Sequence, residues 1–169
     1  MRCRSNEPRS AAALPPSSAG VRTLRFLAIV VGAGLATSAA AQSRQAFDAL
    51  LTWVPIGGAE RNDVAGEGAV TATLVGAQLT IAGTFTGLPA RVTGAKLHRG
   101  PAKGVRGPAI ADLQVTGGVA GTVAGDVHLS TEQIAALEAG QLYIQVHSEK
   151  GVLPDHATLF GWLLRAERR

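Results

Sequence analysis

From Gly68 to Thr86 the chain alternates with a period of two, and this pattern constrains its fold more than any other feature. Gly68-Ala-Val-Thr-Ala-Thr-Leu-Val75 alternates apolar residues with threonine, Gly76-Ala77 interrupts it, and Gln78-Leu-Thr-Ile-Ala-Gly-Thr-Phe-Thr86 resumes it. Leu79, Ile81 and Phe85 then fall on one face. Successive side chains of a strand point to opposite faces, so such alternation bounded by glycine predicts two half-buried antiparallel strands joined by a tight turn. Similar runs predict further strands over Ala46–Trp53, Val92–Arg99, Ala109–Thr116, Val119–Leu129, Leu142–Ser148 and Thr158–Arg165. About seven to eight short strands at this spacing predict an all-β fold, an antiparallel sandwich or barrel.

One segment departs from the period. Leu129-Ser-Thr-Glu-Gln-Ile-Ala-Ala-Leu-Glu-Ala-Gly140 predicts a single short helix. Ser130 is placed to accept from the N–H of Gln133, whose side chain can reach back, and Gly140 supplies a left-handed stop. Ile134 and Leu137 give the helix one apolar face with which to close an end of the β structure.

The beginning of the chain follows another logic. Arg22 and Arg25 precede the apolar run Phe26–Thr37, and Ala39 and Ala41 supply the small residues of a cleavage site. A basic flank, a short apolar stretch and small residues predict a signal peptide over residues 1–41, with translation from near Val21 as an alternative start. The apolar run is shorter than the roughly 20 residues that span a bilayer, so no transmembrane segment is expected after cleavage. Residues 42–169 are expected to form one domain, exported to the periplasm or the extracellular space.

Cleavage alters the charge argument. Five of the sixteen Lys and Arg precede Gln42, against Glu7 alone among the twelve acids, so eleven of each remain. The chain's pI of about 10.0 is therefore largely a property of the leader, and nucleic acid is not an expected partner. Cys3 leaves with the leader, so the remaining domain has no thiol for a disulfide or a metal.

The stretch Gly94-Ala-Lys-Leu-His-Arg-Gly-Pro-Ala-Lys-Gly-Val-Arg-Gly-Pro108 concentrates cations and glycines. A phosphate-binding loop needs a helix start behind its glycines. Here Gly100, Gly104 and Gly107 lead through Pro108 into a strand-like run, which argues for a strand exit and return instead. No catalytic constellation is apparent: there is no GxSxG elbow, no cysteine nucleophile, and the acids are scattered. The four histidines His98, His128, His147 and His156 show no HxH or HxxxH pairing. His98 and His147 each lie near the end of a predicted strand, so neighbouring strands would let the imidazoles converge on a metal. His156, after Pro154-Asp155, is a third candidate, approaching from the next connection. Trp53 and Trp162, in the first and last strands, are expected to fill core or edge positions.

The order of these pieces resembles the chordin-type CHRD domain family. The resemblance is carried by Gly76–Leu88, by Lys96-Leu-His-Arg-Gly-Pro101 with Gly104-Val-Arg-Gly-Pro108, and by Leu129–His147. It covers about residues 45–165. It implies an immunoglobulin-like antiparallel β-sandwich with a layout similar to copper/zinc superoxide dismutase. Members include exported bacterial proteins and animal chordin, an antagonist of a growth factor.

Where the family has an HxH pair, this chain has Lys96 and His98, and the family's later histidine matches His147. The family's closing acid and arginine are absent from Ala157-Thr-Leu-Phe-Gly161. Two readings follow. The first is a non-catalytic binding or structural module outside the cytoplasm, with no cofactor and a protein or envelope partner. The second is a copper- or zinc-binding protein using His98 and His147, against which the charge of Lys96 counts.

Overall fold

The computed structural model describes residues 43–152 and 154–167. The leader, with Cys3, lies outside them. Among the described residues, nine strands and one α-helix follow the predicted order. They are β1 (Arg44–Trp53), β2 (Glu67–Val75), β3 (Gln78–Thr86), β4 (Val92–Arg99), β5 (Ala109–Gly117), β6 (Gly121–His128), α1 (Thr131–Glu138), β7 (Leu142–Val152), β8 (Ala157–Trp162) and β9 (Leu164–Arg165). A short 3-10 turn, Gly58–Asp63, lies between β1 and β2. Among the described residues, no helix is long and apolar enough to cross a membrane.

All pairings are antiparallel, and the strands run β2-β3-β6-β5-β4-β7-β8-β1, with β1 returning to pair β2. The ladder therefore closes on itself as an eight-stranded barrel, which corrects the expected sandwich. Two strands that change partners effect the closure. Arg44–Leu51 of β1 pair with β2, while Thr52 and Trp53 continue onto β8. Ala109–Leu113 of β5 pair with β4, and Gln114–Gly117 pair with β6. Alternation could not reveal this, because sandwiches and barrels both bury one face of every strand. Closure is favoured because it leaves no open edge of unpaired N–H and C=O groups.

The predicted run Thr158–Arg165 forms two strands in one register against β1, with Trp53 opposite Leu159 and Asp48 opposite Leu164. Between them Leu163 turns inward and donates its N–H to Leu142 O at 2.9 Å. The inward faces meet in one core. Phe47 and Leu51 of β1, Leu79 and Ile81 of β3, Leu97 of β4, and Leu142 and Ile144 of β7 are among its fully buried members. Phe85 also points inward, as the alternation required.

The helix closes this core with Ala136 and Leu137 buried and Ile134 packed at its margin. Its start is a reciprocal cap. Gln133 N–H donates to Ser130 Oγ at 3.2 Å, and Ser130 N–H donates to Gln133 Oε1 at 2.8 Å. Gly140 takes φ +69° just past the end. Ser130→Ala is expected to cost about 1 kcal/mol, read as a lower urea midpoint at unchanged slope.

Of the core or edge positions expected for the tryptophans, Trp53 takes the edge: it is 58% exposed, with its indole N–H donated to Gly66 O at 2.8 Å. An indole that finds its polar partner at the rim need not enter the apolar interior.

Candidate functional site

β7 is buried on both faces from Leu142 to Ser148, unlike the half-buried β2 and β3. Leu142, Ile144 and Val146 enter the core. The alternate residues Tyr143, Gln145 and His147 therefore point outward, yet each is buried. Two connections supply contacts to this outer face. The β4–β5 loop is bonded to Tyr143, and the Pro154–His156 turn is bonded to Gln145 and His147.

Register places the neighbours. Tyr143 lies between His98 of β4 and Trp162 of β8, Gln145 between Lys96 and Phe160, and His147 between Gly94 and Ala157. Tyr143 stacks on the His98 ring with centroids 4.8 Å apart and meets the Trp162 ring at 4.7 Å. Both histidines sit at breaks in register, between Leu97 and His98 in the β4–β5 ladder and between Val146 and His147 in the β7–β8 ladder. Bulges at such places re-aim side chains.

The two imidazoles are held alike. His98 Nδ1 lies 3.0 Å from Gly107 O, and His147 Nδ1 lies 2.9 Å from Asp155 O. A carbonyl oxygen only accepts, so Nδ1 carries the proton in each ring and Nε2 carries the bare lone pair. Both Nε2 atoms are buried and have no hydrogen-bond partner. His98 and His147 line one pocket of about 400 Å³, together with Thr93, Gly94, Lys96, Ala109 and Asp155. The chain thus buries two nitrogen lone pairs beside a shared space, each costing about 1–3 kcal/mol while unsatisfied.

The surrounding groups fix this arrangement. Gly107 O also accepts from the Tyr143 hydroxyl at 2.9 Å, so one peptide orients both rings of the stack. The loop carrying it is pinned by Arg99 N–H to Pro108 O at 3.0 Å and Gly100 N–H to Gln141 O at 2.8 Å. Gln145 Nε2 donates to Asp155 Oδ2 at 2.9 Å, which secures the turn whose carbonyl holds His147. Lys96 Nζ pairs with Asp112 Oδ1 at 3.2 Å across the β4–β5 ladder. The lysine expected to repel a cation therefore has a carboxylate beside its ammonium.

Burial holds the His98 pKa below its ordinary value of 6.5, aided by His147 and Lys96 and opposed by the Gly107 bond and by Asp155. Burial likewise raises that of Tyr143, opposed by its bond to Gly107 and by Arg106. For His98 the unfolded chain takes up the proton first. Its contribution to stability is complete above about pH 6.5 and is lost as the pH falls through the lowered folded value. The urea midpoint of the wild type is accordingly expected to fall between pH 7.5 and 5.5 by more than that of His98→Gln.

Of the sequence candidates, the structure brings His98 and His147 to one pocket and leaves His156 out of its lining. His156 is exposed in the turn at φ +55°, and its carbonyl accepts from Ser148 N–H at 3.2 Å. His128 is exposed at the end of β6 and does not line the pocket. Sequence reasoning missed Tyr143, Gln145 and the Gly107 and Asp155 carbonyls. The first two had a signal, since Tyr143, Gln145 and His147 alternate with the core residues Leu142, Ile144 and Val146. The carbonyls had none, because a backbone acceptor carries no residue-type signature.

No curated protein and no solved structure matches this chain. The CHRD domain family model matches residues 47–152, a span that takes in both histidines, the loop between β4 and β5, the capped helix and the whole of β7. The chain belongs to the CHRD domain family.

Proposed function

We propose that this CHRD domain is an exported, non-catalytic metal-binding module in which His98 and His147 hold a copper or zinc ion. The observation that carries the reading is a pair of buried Nε2 atoms without hydrogen-bond partners, on two histidines that line one pocket. Each ring donates Nδ1–H to a carbonyl, the arrangement by which metal-ligating histidines are usually oriented. An ion on the Nε2 side would satisfy both lone pairs at once. A bound ion would supply Lewis acidity and, if copper, a one-electron couple. Tyr143, Gln145, Gly107 and Asp155 act here as positioning groups that hold the rings. The exported location is supported by the leader, and the non-catalytic role by the lack of a nucleophile motif in the sequence.

Calorimetric titration of the purified, chelator-stripped protein with Zn(II) and with copper tests the reading. Uptake of about one ion per chain is expected, weakened at least about 100-fold by His98→Gln or His147→Gln. Absence of uptake of zinc, divalent copper and monovalent copper alike at micromolar concentrations would overturn it.

A second reading, a module that binds an envelope protein, is favoured by Leu50 and Trp53, which are 74% and 58% exposed. Exposed apolar residues of this size mark interaction surfaces when they cluster. Trp53→Ala is then expected to abolish a specific pull-down that His147→Gln leaves intact.

A further inference from the structure

Resting on the reading that the two imidazoles hold an ion, we propose that the pocket is selective for monovalent copper over zinc and divalent copper. Selectivity depends on how many donors the fold offers and how dry they are. Two nitrogen lone pairs are available, His98 Nε2 and His147 Nε2. Among the described residues, no group of three His, Cys, Asp or Glu is placed to hold a metal.

Among the described residues, none of the neighbouring polar groups completes a set of three with the histidines. Asp155 accepts from Gln145 through Oδ2, the same oxygen that lies 3.9 Å from His147 Nδ1, on the side of the ring away from Nε2. Lys96 is a cation paired with Asp112. His156 lies outside the pocket lining. Zinc takes four ligands in structural sites and three protein ligands in catalytic ones, so two imidazoles leave it short. Divalent copper prefers a tetragonal set of nitrogen and oxygen donors, which this pocket does not assemble.

Monovalent copper fits the same facts. Its filled d shell imposes no ligand-field geometry, and two imidazole nitrogens suffice for it. It is weakly hydrated, so entry to a site whose nitrogens are shielded from solvent costs it less than it costs a divalent ion. It also brings one positive charge, not two, to a pair of neutral rings. Solvent-shielded nitrogens and a donor count of two select in one direction.

The test uses the purified protein under anaerobic conditions. Monovalent copper, supplied as its acetonitrile complex, is titrated in competition with a chromophoric chelator, while Zn(II) and Cu(II) are titrated separately by calorimetry. Monovalent copper is expected to bind at least about 100-fold tighter than Zn(II), a separation far beyond titration error. X-ray absorption of the loaded wild type is expected to show a two-coordinate nitrogen environment, a readout that needs no variant. His98→Gln and His147→Gln should each remove that signature while circular dichroism stays that of the wild type. Zn(II) or Cu(II) binding as tightly as monovalent copper, or an absorption spectrum of three or four donors, overturns the selectivity and leaves the metal-binding reading standing. Binding of none of the three ions overturns both.

Discussion

Phe47→Ala is expected to remove about 3–5 kcal/mol of stability, a large part of what a domain of this size possesses. Phe47 is 0% exposed and belongs to the main core cluster. It lies on β1, which pairs with β2 on one side and with β8 and β9 on the other. The Arg165 guanidinium stands 5.9 Å from the ring centroid. Alanine would leave a cavity that the closed ladder cannot collapse to fill, because β1 is held along both edges. Urea denaturation should show the loss as a lower midpoint at unchanged slope, and the melting temperature should fall by roughly 10–20 °C. A cost below about 1 kcal/mol would mean that the barrel relaxes around the site far more than close packing permits.

The second large effect is expected at Gly107. A Cβ built there would overlap the carbonyl oxygen of Arg99 and press on the Cα of Gly100. Both obstacles are backbone, and both are pinned by hydrogen bonds to Pro108 and Gln141. Gly107→Ala should therefore cost about 3 kcal/mol or more, at the upper end of single substitutions. It should also release His98 and Tyr143, whose shared acceptor is the Gly107 carbonyl, and shift the His98 imidazole resonances in NMR. Gly104 provides the comparison. It takes φ +81° with no atom within 4 Å of an added Cβ. Its alanine variant should lose only the conformational cost of a left-handed residue, about 1–2 kcal/mol, and leave the His98 resonances in place. Equal effects at the two glycines would show that the loop is not held by the contact with Arg99.

The extent to which the fold was legible follows from what each signal measures. Strand positions over Gly68–Thr86 were legible because one face of each strand is dry and the other wet. The capped helix was legible because Ser130 and Gln133 satisfy each other locally. Closure was not legible, since it depends on β1 and β5 each serving two ladders through backbone pairing that any side chain permits. Core and edge stayed open for Trp53 for a related reason: its size suits either, and its partner, Gly66 O, is a backbone group at the rim.

The site divides along the same line. Residue type and strand position nominated His98 and His147, and the period of β7 contained Tyr143 and Gln145 without drawing attention to them. The sequence by itself determined an all-β chain of the CHRD family, its capped helix, and two histidines at strand positions. Only the tertiary structure decided that the ladder closes, that both imidazoles give Nδ1–H to carbonyls, and that their bare Nε2 atoms are buried beside one pocket. The physical reason is that backbone acceptors and solvent exclusion are made by connections whose place over β7 depends on the pairing of β4, β5, β7 and β8. Gly107 and Asp155 meet the imidazoles of His98 and His147, and Tyr143 meets that of His98, only when these strands pair.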